Sequence, residues 1–421
     1  MYCNLRNTAW GIIIRKEAGI MKHKKSIFSS VGLLLALVLL FSFPCSAKSY
    51  HKPYTLKVKN GSNITSQLKR TLKKKSHIII PKGSYSCGSI TLPGGKSITL
   101  DATGATIKKG SVRIKGKIGT ITIKGGTWDG KKKGSDVFRI DGTTNGKVRL
   151  QNLVVKNAAK SSVCVRKSKN VTLTNITSQK AGGNGISLYN CKVKMVNPKI
   201  QDSYWFGVSV REGAKVTIEG GLITTSGQRP RKTVSRDDAM AGGLSVTQKS
   251  TATATGTTFS KNVACGVAAA GDSTEERSTV NLYGVSCIDN GDHGVGARPN
   301  AVVRIGSDNG HRSVFQGNAY HGVMIKQGCF SPGICDSDFC GNGGMGLNVS
   351  ENTILKELKN CTFSDNQSNN VYVRYNSAIE SVVDCKSDWG ELEEFYQDFD
   401  EDDEWDEDDV IEGNEEPENE D

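Results

Sequence analysis

The sequence predicts an all-β chain, a right-handed parallel β-helix solenoid with a short N-terminal capping helix in front and a disordered acidic C-terminal tail behind. The first supporting observation is a recurring phrase: a residue sized for an interior, Asn three positions on, Gly four after that, then alternating apolar residues. It reads Phe259, Asn262, Gly266; Cys287, Asn290, Gly294; Phe315, Asn318, Gly322; Phe339, Asn342, Gly346; and Phe363, Asn366, with Asn370 replacing the last Gly. The second is spacing. Gly185, Gly207, Gly243, Gly266, Gly294, Gly322 and Gly346 lie 22, 36, 23, 28, 28 and 24 residues apart, the period of a solenoid. The third is composition, since 47 Gly against 9 Pro, with abundant Thr, Val and Ile, suit short strands joined by tight turns.

A unit this short cannot bury its apolar side alone, so units must stack, with equivalent positions about 4.8 Å apart. Phe259, Cys287, Phe315, Phe339 and Phe363 then form an interior column. Asn262, Asn290, Asn318, Asn342 and Asn366 form a second one, at a turn where Asn tolerates a left-handed backbone and its amide bonds the amide one coil away. Leucine-rich, helical and propeller repeats need other periods or other fixed residues. Strands wound in one sense are parallel.

The remaining elements follow in chain order. Residues 1–47 read as an over-extended start before Met21 and then a secretory signal. Lys22, Lys24 and Lys25 precede the apolar run Val31 to Phe43 and Cys45-Ser46-Ala47, so cleavage is expected after Ala47 and the product is extracellular or held at the cell surface. Membrane contact is expected only through an uncleaved signal. Residues 48–76 form the N-terminal segment, where Ile64, Leu68 and Leu72 lie at helical spacing behind a Ser62 or Asn63 cap. Residues 77–386 form the β-helix. An exported chain permits disulfides, and Cys329, Cys335 and Cys340, on one coil, are where a local bridge is expected.

His77 to Tyr85, Ser97-Ile-Thr-Leu-Asp101 and Gly125-Gly-Thr-Trp-Asp-Gly130 resemble the opening of the pectate-lyase-like superfamily. That resemblance implies the fold rather than an activity. The Asn-Thr-Asp, Gly-His-Gly and Arg-Ile-Lys signatures of polygalacturonases and the Asp-Pro-His-Asp signature of alginate epimerases are absent. Asp292-His293-Gly294 is a loose echo, and no catalytic residue is carried over.

The net charge of +12 hides a division. From Asp388 to Asp421 the acidic tail, residues 387–421, holds 20 Asp or Glu and no Lys or Arg, whereas residues 48–387 hold 49 basic against 22 acidic residues. Strand alternation places part of that positive charge outward, four positions after each opening Gly, as Arg166, Tyr189, Arg211, Thr247, Ala270, Arg298, Lys326, Ser350 and Arg374. Such a row suits an extended polyanion, and in an exported solenoid an acidic polysaccharide; no nucleic-acid motif is present. The tail is expected either to be disordered or to fold back on the basic body and compete with the polyanion. A monomer is expected.

The long interval contains an insertion from Gly227 to Met240, placed to overhang the row. β-Elimination on a uronic acid polymer needs a cation on the carboxylate and a base for the neighbouring proton. Arg231 or Arg236 suits the first role and Lys232 the second, while Asp237 and Asp238 are the pair able to hold calcium. Hydrolysis needs two carboxylates, for which Asp237 and Asp238 are the candidates, although neighbours in sequence diverge in direction. Cys265, His293, His321 and Met345 precede consecutive opening glycines and would stack, either as soft-metal ligands or as packing groups. A lyase, a glycoside hydrolase and a non-catalytic wall-binding or adhesin-like protein therefore all remain open.

Overall fold

The computed structural model describes residues 52–228 and 241–388. The chain winds through about 13 turns of a right-handed parallel solenoid, visiting three sheets, A, B and C, in that order. Sheet A has 16 strands, sheet B 13 and sheet C 12. One coil runs through Lys147–Gln151 in A, Val154–Lys156 in B and Val163–Arg166 in C. The next coil then lays Val171–Thr174 in parallel on the first of these. Among the described residues no helix is long and apolar enough to cross a membrane.

Period-two alternation sends every other side chain inward. Val163 and Val165 are fully buried, as are Ile186 and Leu188 above them. Phe259, Cys287, Phe315, Phe339 and Phe363 are in direct register. The rings of Phe315 and Phe339 stack at 5.1 Å, and those of Phe339 and Phe363 at 4.6 Å. Trp128, from Gly125–Gly130, lies fully buried at the same level of sheet B in an early coil, so that motif builds core. Its Asp129 is bonded to Asn157 and Lys131.

The asparagine column lies at the corner between sheets B and C. Each side-chain amide donates to the next: Asn262 to Asn290, Asn290 to Asn318 and Asn318 to Asn342 at 2.9 Å, and Asn342 to Asn366 at 2.8 Å. The left-handed residue is the one before each asparagine, not the asparagine itself, with φ of 52° at Lys261 and 54° at Asp289. The turn is thereby made outside the core, and the amide is left free to point in. The glycine is needed for space rather than for a positive φ. A Cβ on Gly294 would meet Gly322 O at 2.5 Å and Asn318 Nδ2 at 2.9 Å.

Helix α1, Thr65–Lys74, adds Ile64, Leu68 and Leu72 to the core beside the first coil. Asn63, rather than Ser62, accepts the Thr65 amide at 3.0 Å. A two-residue strand, Tyr54–Thr55, precedes the helix and pairs with Ile78–Ile79, which the sequence did not suggest. All ten cysteines from Cys87 onward are free thiols. The bridge expected among Cys329, Cys335 and Cys340 is not formed, because they occupy separate surroundings. Cys329 donates inward to Ala297 O, Cys335 faces Glu357, and Cys340 ends a sheet B strand.

Candidate functional site

The outer face of sheet C differs from the other two. Outward side chains of sheets A and B are mostly exposed or half-buried, as at Lys215, Thr217 and Lys199. On three successive strands of sheet C the outward positions nearest the strand start are small and sunken: Cys164, Ser187 and Ser209 are 5 %, 2 % and 1 % exposed. They form a floor. Along one side runs the outward row, in which Asp141, Arg166, Tyr189 and Arg211 are in direct register on four successive strands. Along the other runs the B–C corner, with Asp136, Ser161, Asn184, Trp205 and Phe206.

Together these enclose a groove of about 660 Å³ between the strand Phe138–Thr144 and the strand Val208–Arg211. Its cations lie against aromatic faces. The Arg166 guanidinium is 5.2 Å from the Tyr189 ring centre, and that of Arg211 is 5.8 Å from Phe206. Such stacking fixes a planar charge without consuming its hydrogen-bond donors. Arg211 Nε and Ser209 Oγ, both buried, have no hydrogen-bond partner among the described residues. At the N-terminal end Arg139 bridges Asp136 at 3.7 Å and Asp141 at 3.2 Å, and Asp136 also accepts the Ser161 amide. Cys164 is no nucleophile, since burial and then Asp136 push its thiol up to about 12.

The corner column explains Cys265, His293, His321 and Met345. In four coils a side chain of this column accepts the backbone amide of the equivalent residue in the next coil: Asp136 from Ser161, Asn184 from Phe206, His293 Nδ1 from His321 and His321 Nδ1 from Met345, while the buried Cys265 donates to Asp292. The two imidazoles stack at 4.9 Å. Their Nδ1 lone pairs are committed to the backbone, so the soft-metal reading of this column is overturned in favour of packing. Among the described residues no three His, Cys, Asp or Glu side chains converge as a metal set. Burial, with Arg298 and Lys326 close by, depresses His293 to about 3; burial and His293 itself do the same to His321, to about 3. Both rings are neutral at ordinary pH.

The row of cations is not uniform. Thr247 and Ala270 interrupt it, and Lys326 is only 9 % exposed with its ammonium 2.9 Å from Glu351. Lys326 is therefore a paired cation rather than an open one. Arg298 shares its column, and Arg374 lies 5.5 Å from the Tyr372 ring centre at the last strand. Arg231, Lys232, Arg236, Asp237 and Asp238, with the calcium expected at the last two, lie outside the described residues, as do residues 1–47, where a secretory signal is expected, and the acidic residues beyond Asp388. Asp136, Arg139, Asn184, Trp205 and Phe206 were missed from sequence. Extending the Cys265–Met345 column backwards coil by coil reaches Phe206, Asn184 and Asp136, and that step would have found the corner wall.

Residues 137–297 match the family described as "Right handed beta helix region". No curated protein matches the chain in sequence. Among solved structures, the A-module of the mannuronan C-5 epimerase AlgE4 from Azotobacter vinelandii is similar with a TM-score of 0.57 and 13 % identity, over 77 % of this chain and 99 % of that one. A hyperthermoactive exopolygalacturonase from Thermotoga maritima gives 0.44 and 13 %, over 78 % and 93 %. The surface adhesin PfbA of Streptococcus pneumoniae gives 0.42 and 12 %, over 79 % and 93 %.

Proposed function

We propose that this right-handed β-helix is an exported protein that binds an acidic polysaccharide along the outer face of sheet C. The observation that carries the reading is the register of Arg166, Tyr189 and Arg211 on successive strands beside Trp205 and Phe206. A polyuronate presents carboxylates at regular intervals with sugar faces between them. The groove offers guanidinium groups at two-rung spacing, about 10 Å, with aromatic rings between. Its orphaned donors, Arg211 Nε and Ser209 Oγ, suit an anionic oxygen, because a buried donor left unmet is costly.

The described groove supports binding more directly than chemistry. It has guanidinium groups to neutralise a carboxylate, but its carboxylates, Asp136 at the corner and Asp141 at the head of the row, are both held by Arg139, and Asp136 also by the Ser161 amide. A β-eliminating enzyme would need a free base as well, and for that role the groove lining holds Lys160 and the sequence offers Lys232 on the insertion. Hydrolysis would need two carboxylates across the bond, one of them protonated, whereas Asp136 and Asp141 are both tied to one guanidinium.

The test uses the full chain with polygalacturonate, alginate and a glycosaminoglycan, with and without calcium, reading both retention and unsaturated-uronate absorbance. Retention that weakens with salt, and falls at least tenfold in Arg166→Glu/Arg211→Glu with the fold intact, is expected. Retention unchanged by that double variant would overturn the assignment of the groove. Absorbance appearing with the wild type and lost in Lys232→Ala would add elimination to binding.

A further inference from the structure

The last coil of the described solenoid is the one least held by its neighbours. Its strands, Ala378–Ile379, Val382–Val383 and Lys386–Ser387, are two residues each, and among the described residues each pairs with the preceding coil alone. Such a rung frays first, because it has few hydrogen bonds and a neighbour on one side only. Yet it leads into Asp388, the carboxylate to which Asn370 donates at 2.6 Å.

Cys361 and Cys385 sit at the corner between sheets A and B in the last two coils. Register holds on both sides of them: Leu358 and Lys359 pair with Val382 and Val383, and Thr362 and Phe363 pair with Lys386 and Ser387. The intervening stretches are equally long, so Cys385 stands directly over Cys361. Their side chains take up the same position as well. Cys361 Sγ lies 3.5 Å from Ile334 O and 3.4 Å from Lys359 O, and Cys385 Sγ lies 3.5 Å from each of the equivalent atoms, Leu358 O and Val383 O. One strand spacing, about 4.8 Å between Cα atoms, is within the span that a disulfide bridges. Other cysteines stand over different residue types: Cys287 has Phe259 and Phe315 in register, Cys335 has Lys359, and Cys340 has Gln316 and Ser364.

Access divides the two thiols. Cys361 is 1 % exposed and Cys385 half-buried, so a reagent reaches Cys385 first. A hydrogen bond from Cys361 holds the Cys385 thiol down to about 7, and the same bond, with burial, pushes Cys361 up. Cys385 is therefore the thiol that ionises and attacks.

We propose that Cys361 and Cys385 form a disulfide that staples the final coil to the one before it, closed in an oxidising compartment and opened in a reducing one. The Cys385 thiolate attacks a small-molecule disulfide, breaking its S–S bond and releasing one thiolate. That thiolate takes the Cys361 proton, and the Cys361 sulfur then displaces the second small thiol from Cys385. In total, two protein thiols and one small disulfide become one protein disulfide and two small thiols. A link between positions 24 apart withdraws freedom from the coil that frays most readily. It does so whatever sheet C binds.

The full chain, reduced and then treated with oxidised glutathione at about pH 8, provides the test. Trypsin cutting after Lys359, Arg374 and Lys386 leaves Cys361 and Cys385 on separate peptides, so mass spectrometry without reductant reads the link directly. Peptide 360–374 joined to peptide 375–386 is expected, lost in Cys385→Ser and retained in Cys335→Ser. Hydrogen exchange is the second readout. Amides of residues 378–388 are expected to exchange at least about tenfold more slowly in the oxidised form than after dithiothreitol, with those of the first coils unchanged. The wild type supplies both states, so this comparison needs no variant to fold. Cys385 left as a lasting glutathione adduct, or joined to another cysteine, overturns the proposal. A Cys361–Cys385 link that leaves exchange in 378–388 unaltered overturns it too, because the bond would then staple nothing.

Discussion

Sheets A and C are built from the same coils, with the same inward alternation and the same strand spacing, yet their outer faces have little in common. Sheet A carries a solvated face where Lys194 and Glu219 meet at 2.7 Å with both side chains about half exposed. On sheet C, Lys326 and Glu351 meet at 2.9 Å with the lysine side chain 11 % exposed, near a stacked imidazole pair. The inward residues are shared and set the fold. The outward residues are chosen sheet by sheet, and the B–C corner decides which face becomes a site, because its turns are long enough to raise a wall.

The comparison breaks most severely where both faces depend on one residue. Phe339→Ala removes a fully buried ring from between Phe315 and Phe363, and is expected to cost about 4 kcal/mol in denaturant unfolding and to loosen all three sheets together. Loss of protection confined to sheet B, by hydrogen exchange, would show the coils to be less coupled than their stacking implies. Next comes Asn318→Ala at the corner. It strands the Asn290 side-chain and backbone donors, which both reach Asn318 Oδ1, and is expected to cost about 2–3 kcal/mol. A cost below 0.5 kcal/mol would mean that water replaces the amide.

The third test separates the faces by pH. His293 and His321 titrate near 3 in the fold against 6.5 when unfolded, so below pH 6.5 the unfolded state binds more protons and stability falls as pH drops towards 3. At pH 5 the loss is about 2 kcal/mol for each imidazole. His293→Gln/His321→Gln should flatten urea midpoints between pH 5 and 7, while an unchanged slope would place the titrating groups elsewhere. The smallest effect belongs to sheet A. Lys194→Ala should change stability by less than about 0.5 kcal/mol and leave polyanion retention alone; a large loss of retention would move the site to the wrong sheet.

Much of this was legible in the sequence, and the reason is physical. In a stacked fold, residue period maps directly onto position, so Phe259 to Phe363, the asparagine column and the register of Arg166, Tyr189 and Arg211 could be placed by counting. Counting fails at corners. Asp136, Asn184 and Trp205 lie in turns before the strands, in coils that lack the full Phe, Asn, Gly phrase, and their roles depend on which amide of the next coil they reach. It fails also for pairs, since nothing in the spacing shows that Glu351 closes on Lys326 one coil below. The insertion drew attention by its length, whereas the groove is built from ordinary coils.

The asparagine column has a polarity. Every side-chain amide gives one hydrogen to the next asparagine towards the C-terminal end and the other back to a backbone carbonyl of the coil before, as Asn290 does to Phe259 O, while its oxygen takes a bond from the N-terminal side, from the Ser226 amide that Asn262 accepts through to Asn366, which donates to Asn370. Asn370 then donates to the Asp388 carboxylate, whose pKa is held below the usual carboxylate range by the Asp365 amide and by Asn370. The aligned dipoles thus add up along the molecule like cells in series, and an anion closes the positive terminal. A coil could be inserted or deleted mid-stack without reversing any link, so a lineage of such proteins can lengthen freely in the middle while its final carboxylate stays in place.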